Sequence, residues 1–213
     1  MKTGDLINGL VADNATVARP ISRTVLYSLL AGTAVAAAIF AATMGLRGDF
    51  WWSIVNSPRF IFKFAVTLGV AIPAYFAVKQ LARPDQSAGK LIWALVLVAS
   101  ALAAAVLVEM YLIPADHWKI YQIGSNAMMC MTLIPALSLA PLGAVFYALR
   151  QGAPANPALA GAVGGLLSAG VGATLYATHC VDDSPLFIAT WYPLAFGIVV
   201  ALGGLIGSRL LRW

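Results

Sequence analysis

Six long apolar runs, each close to the roughly 20 residues that carry a helix across a bilayer core, leave this chain few ways to fold. They span approximately Thr24–Leu46, Phe60–Leu81, Leu91–Ile113, Asn126–Leu149, Ala158–Thr178 and Leu186–Ser208, with short connectors between them. A soluble domain carries about 25% charged residues. Here only 10% of 213 residues are charged and 61% are hydrophobic. One globule of this size cannot bury so much apolar surface, so lipid must solvate much of it. The expected fold is all-α, a polytopic bundle of six transmembrane helices. Residues 24–213 form the membrane domain, and residues 1–23 form a separate N-terminal segment.

Charge placement predicts the orientation. Arg47, Arg59, Lys63 and Lys119 fall on one side of the bilayer, and the other nine of the 13 Lys and Arg residues fall on the opposite side. Cytoplasmic loops hold the excess of Lys and Arg. Both termini are therefore expected in the cytoplasm of a bacterial inner membrane, with the connector His179–Pro185 facing outward. Trp51, Trp52, Trp118, Tyr111 and Tyr121 lie near the outer ends of their spans, where amphipathic rings anchor to the interface. The first apolar run is too long for a cleavable leader.

Several functions are disfavoured. The net charge of +5 is scattered singly, without the basic patch that a nucleic acid needs. No GxGxxG, P-loop or HExxH is present, nor a serine–histidine pair placed for catalysis. The chain therefore does not read as an enzyme, and no small-molecule substrate is expected. A small transporter or channel is the alternative reading, because Pro73, Pro135, Pro141 and Pro193 interrupt spans and should kink them. The near absence of ionisable residues at mid-depth speaks against it. Gly161, Gly165, Ala169 and Ala173, with Gly203 and Gly207, recur at four-residue spacing, which suits close helix packing within the bundle.

Two stretches can carry function. In residues 1–23, Leu6, Ile7, Leu10, Val11 and Val17 recur at helical spacing, with Asp5 in the first turn. Amphipathic helices on lipid carry Lys and Arg on the polar face. Gly4–Ala18 has none, so its apolar stripe, with Asp5, Leu6, Ile7, Leu10 and Val11 as the contact residues, fits a groove on a cytosolic protein. The second stretch is Thr178-His179-Cys180-Val181-Asp182-Asp183-Ser184-Pro185. Cys180 follows the fifth span and Cys130 begins the fourth, so both thiols lie at a similar outer depth. They read either as a bridgeable pair or as two separate small buried side chains. His179, Cys180 and Cys130, with Asp182, Asp183 and Met129 as further ligands or supporting groups, also admit a regulatory metal ion. Asp116, His117 or Glu109 could converge with them on the outer face. Otherwise no cofactor is expected. Asp182 and Asp183 could instead cap the sixth helix.

The chain resembles the NrsF-type membrane anti-sigma factors of proteobacteria. The resemblance rests on Met1-Lys2-Thr3-Gly4-Asp5-Leu6-Ile7, on Arg59-Phe60 with Lys63, on Gly124-Ser125-Asn126 ahead of Cys130, and most specifically on His179-Cys180-Val181-Asp182-Asp183-Ser184-Pro185-Leu186-Phe187. It covers essentially the whole length. It implies a six-span inner-membrane protein that sequesters a cytoplasmic sigma factor of the extracytoplasmic-function class. It also implies that Cys130 and Cys180 sense oxidative or metal stress outside. Dithiol, disulfide and metal-bound resting states all remain open.

Overall fold

The computed structural model describes residues 3–4, 21–84 and 88–212. The expected partner-contact residues Asp5, Leu6, Ile7, Leu10 and Val11 lie outside them. Among the described residues there are helices and no strands: α1 (Ile21–Thr43), α2 (Phe50–Asn56), α3 (Pro58–Leu81), α4 (Gly89–Leu112), α5 (Trp118–Ile123), α6 (Ala127–Leu149), α7 (Pro157–Ala177) and α8 (Pro185–Leu210). A single 3₁₀ turn, Ala115–His117, precedes α5. Helices α1, α3, α4, α6, α7 and α8 are long and apolar enough to cross a membrane, and each matches a predicted span. The short α2 and α5 lie in the connectors between spans.

Three of the spanning helices start in the same way. Ser57-Pro58, Asn156-Pro157 and Ser184-Pro185 pair a capping side chain with proline at the first helical position, where its missing N–H costs nothing. The caps accept from Phe60 N at 3.3 Å, Leu159 N at 3.0 Å and Leu186 N at 3.2 Å. Pro73, Pro135, Pro141 and Pro193 lie within helices that run on through them.

Helix α7 is the hub, packed against α1, α3, α6 and α8. Its small residues explain this. A Cβ added to Gly161 would meet the carbonyl of Gly203, and one added to Gly165 would lie 2.5 Å from the Val199 carbonyl. The α7–α8 crossing is therefore close enough that only hydrogen fits at these positions. On its other faces, Gly170 meets Ala71 of α3 at 2.8 Å and Gly172 meets the Ile134 carbonyl of α6 at 2.9 Å. Helix α4 stands at the periphery, with only Leu91 and Glu109 buried, while its Trp93, Leu97 and Leu107 are exposed. An apolar exterior of this kind suits lipid rather than water.

Chain alternation brings one end of every spanning helix to the His179–Pro185 connector. The α1–α2 connector folds onto it, with Arg47 N donating to Thr178 O at 3.2 Å. This end holds most of the protein's buried polar chemistry.

Candidate functional site

Three carboxylates fix the His179–Pro185 loop, each through different partners. Asp182 closes the start of α6. It accepts from Ser125 N at 3.1 Å, Asn126 N at 2.8 Å and Asn126 Nδ2 at 2.9 Å. A carboxylate here also complements the positive end of the helix dipole. Gly124 makes the approach possible, since its φ is +60° and an added Cβ would sit 2.8 Å from the Asp182 carboxyl carbon.

Asp183 faces two cations. Lys63 Nζ lies 2.5 Å from one of its oxygens, and Arg47 Nη1 donates to the other at 2.8 Å. Lys63 belongs to the second turn of α3 and is fully buried. Its ammonium also donates to the carbonyls of Cys180 at 2.9 Å and Asp182 at 3.2 Å. A buried ammonium is tolerated only when paired and hydrogen-bonded in this way. Arg47 also donates to Cys180 O at 3.3 Å and grips Asp49 in a bidentate pair at 2.7 and 2.8 Å.

That pair sets a pH window. The Arg47 hydrogen bond, above all, holds the Asp49 carboxyl down at about 2, against an ordinary value of 3.8, and the same partner raises the Arg47 guanidinium. A depressed carboxylate contributes stability above its unfolded value, and loses it as pH falls through the folded one. Thermal unfolding in detergent is therefore expected to show the full Asp49 contribution, without pH dependence from this group, between pH 5 and 8. The wild type should lose its advantage over Asp49→Asn as pH falls from about 4 toward 2. An advantage that persists at pH 2 would exclude this pair as its source.

Glu109, almost at the end of α4, is the third carboxylate. It accepts from Ser184 Oγ at 2.6 Å and Leu186 N at 3.1 Å, and its other oxygen lies 3.2 Å from Arg59. The start of α8, the sixth spanning helix, is thus capped by Ser184 and Glu109. Asp182 and Asp183, expected there or on a metal, are turned instead onto α6 and onto the cations.

The thiols sit beneath this loop. Cys130, in the first turn of α6, and Cys180 are both fully buried and unbridged. Tyr176 links their backbones: Cys180 N donates to Tyr176 O at 3.0 Å, and the Tyr176 hydroxyl donates at 3.4 Å to Asn126 O, the carbonyl that also accepts from Cys130 N at 2.8 Å. Cys180 Sγ donates to Asp182 O at 3.8 Å. Burial pushes the Cys180 thiol up, and the Lys63 ammonium opposes it. The buried Tyr192 hydroxyl, in the same shell, has no hydrogen-bond partner among the described residues. A cavity of about 580 Å³ opens beside the loop, lined by Arg59, Gly124, Ser125, Val181 and Asp182 among others.

Other expected ligands point elsewhere. The His179 ring has Nδ1 at 3.1 Å from Gly45 O and its edge against Phe40. Met129 is half exposed on the outside of α6. Asp116 and His117 pair with each other at 3.3 Å near the surface. Among the described residues, no three His, Cys, Asp or Glu side chains form a group that could hold a metal ion. The donor chemistry explains this, because the carboxylates are already occupied by Lys63, Arg47, Arg59 and backbone N–H groups. Sequence reasoning used Arg47 only as a topology marker, Lys63 as a topology marker and part of the family resemblance, and Glu109 as a possible ligand, and gave Tyr176 and Tyr192 no role. The signal available for Lys63 and Glu109 was a charge inside an otherwise apolar run, which is rarely without function.

Comparison with known proteins gives a consistent result. Residues 10–213 match the family described as negative regulator of sigma F. The chain is 34% identical over 218 residues to the probable anti-sigma-F factor NrsF of Azospira oryzae, and 34% identical over 225 residues to the anti-sigma-F factor NrsF of Caulobacter vibrioides. Both alignments cover 100% of each chain. No solved structure matches.

Proposed function

Because the chain belongs to the family of negative regulators of sigma F, we propose that it is an anti-sigma factor of the bacterial inner membrane. It holds a sigma factor of the extracytoplasmic-function class away from RNA polymerase. The observation that carries this reading is the end-to-end kinship with two proteins named anti-sigma-F factors. Both termini lie in the cytoplasm, where residues 1–23 bind the sigma factor, and residues 24–213 form the sensor domain. The role is regulatory rather than enzymatic.

The geometry supports a thiol switch facing the periplasm. Cys180 lies under a loop whose carbonyls and carboxylates tie α3, α4, α6 and α8 together. A change at Cys130 and Cys180, by oxidation or a soft metal ion, must disturb those ties, and the sigma factor responds to the difference in stability between the two arrangements.

Affinity purification of the full-length protein from membranes is the test. The wild type is expected to retain a sigma factor, and deletion of residues 1–20 should abolish retention. Oxidant should lower the retained amount several-fold, and Cys180→Ser should blunt that drop. A sigma factor retained by the deletion variant removes the N-terminal segment from the mechanism. Unchanged oxidant release from Cys180→Ser removes the thiol switch.

A further inference from the structure

Resting on the thiol-switch reading above, we infer that the two cysteines have unequal roles: Cys180 is the thiol that attacks the oxidant, Cys130 is the thiol that resolves it, and Lys63 is the positioning residue that makes Cys180 the attacking partner.

The asymmetry lies in what surrounds each sulfur. Cys180 has the Asp182 carbonyl at 3.8 Å from its sulfur. Its own carbonyl is held by Lys63 at 2.9 Å and by Arg47 at 3.3 Å. The ammonium is thus fixed on the carbonyl of the same residue that carries the sulfur, in a buried setting where charge interactions are strong. No hydrogen-bonding group supports the Cys130 sulfur among the described residues. A helix N-terminus can activate a cysteine, but the amino end of α6 already faces the Asp182 carboxylate. Of the other charged groups nearby, Asp182 works against Lys63 at the Cys180 sulfur. Asp182 is covered by Ser125 and Asn126, Asp183 is shared by Lys63 and Arg47, and His179 turns away to Gly45. From α8, Tyr192 contributes an uncharged hydroxyl. The cavity that flanks Val181 and Asp182 gives a small oxidant a route to the loop.

With a hydroperoxide as oxidant, the Cys180 thiolate attacks one peroxide oxygen. An S–O bond forms and the O–O bond breaks, and the departing hydroxide or alkoxide takes up the thiol proton. The Cys130 sulfur then attacks the sulfenic sulfur, forming S–S, breaking S–O and releasing water. Overall, two thiols and one peroxide give a disulfide and two molecules of water, or of water and alcohol.

The test uses full-length protein in nanodiscs, hydrogen peroxide, and dimedone to trap sulfenic acid, read by mass spectrometry. Cys130→Ser should accumulate the adduct on Cys180, at least tenfold faster than Cys180→Ser accumulates it on Cys130. In the Cys130→Ser background, Lys63→Met should slow adduct formation at least tenfold at pH 7 and move its pH midpoint upward, while Lys63→Arg keeps the midpoint near the parent's. Lys63→Gln, which keeps a donor for the Cys180 carbonyl but removes the charge, should slow it to a similar extent and provides the readout if Lys63→Met does not fold. Equal adduct rates on the two cysteines, no adduct on Cys180, or a rate and midpoint indifferent to Lys63→Met and Lys63→Gln would overturn the assignment. Retention of the sigma factor is scored on the same samples. The expected adducts with peroxide-blind retention leave the division of labour standing and remove only the sensor reading.

Discussion

Replacing Gly124 by alanine is expected to destabilise the protein by about 4 kcal/mol, combining backbone strain of roughly 1–3 kcal/mol with overpacking of roughly 1–3 kcal/mol. Gly124 has φ +60° and ψ −168°, a region open to glycine almost alone. Its added Cβ would lie 2.6 Å from the Phe187 ring and 2.8 Å from the Asp182 carboxyl carbon. Phe187 is fully buried and cannot retreat, so Asp182 must leave the start of α6. Thermal unfolding in detergent is then expected to fall by about 10 °C, from the usual relation between stability and midpoint for chains of this size. Gly45→Ala is the matched control. Gly45 also has positive φ, at +66°, but nothing lies within 4 Å of its added Cβ. It should lose only the backbone term, about 1 kcal/mol. Equal losses at the two glycines would rule out crowding against Asp182 and Phe187 as the cause.

The second large effect is expected at Asp183. Asp183→Ala removes the carboxylate facing Lys63 and leaves a fully buried ammonium with only backbone carbonyls. Removing one partner of a buried ion pair costs about 3–5 kcal/mol, whereas removing both charges costs far less. Lys63→Met combined with Asp183→Ala should therefore be more stable than the sum of the single losses implies, by about 2 kcal/mol in a double-mutant cycle. Arg47 keeps its bidentate pair with Asp49 throughout, so it is not stranded by either change. Strict additivity would mean that Lys63 and Asp183 do not act as a pair.

Most of the fold was legible in the sequence, and for a physical reason. A run of about 20 apolar residues is read by the bilayer one helix at a time, so Phe60–Leu81 and Asn126–Leu149 could be assigned without tertiary contacts. The small-residue seam at Gly161 and Gly165 was equally legible, because close packing depends on side-chain size alone. The loop residues behaved differently. Asp182, Asp183 and Ser184 look interchangeable as caps for the helix they precede, and only tertiary structure separates their roles. Asp182 reaches back to α6, Asp183 crosses to α3 and the α1–α2 connector, and Ser184 alone serves α8. Such choices depend on which helices are neighbours, which periodicity does not encode. Glu109 was misjudged in the same way, grouped with Asp116 and His117 by sequence proximity although α4 buries it against Ser184 and Arg59. The serine–proline and asparagine–proline pairs at three helix starts were a local signal that was available and went unused.

The cross-segment caps also bear on how the chain assembles. The amino end of α6 waits for a carboxylate 56 residues further on, and α8 closes on a glutamate made 77 residues earlier. During synthesis α6 and α7 must therefore enter the bilayer as an open hairpin, whose ends at the His179–Pro185 loop stay unfinished until the first turn of α8 arrives. Cys130 is exposed throughout that interval, and Cys180 is covered only when the loop locks. Burial of the two thiols thus marks a completed chain. A ribosome stalled within α8, or a truncation before Leu186, leaves a hairpin with accessible cysteines, open to mixed disulfides and to the proteases that clear unfinished membrane proteins.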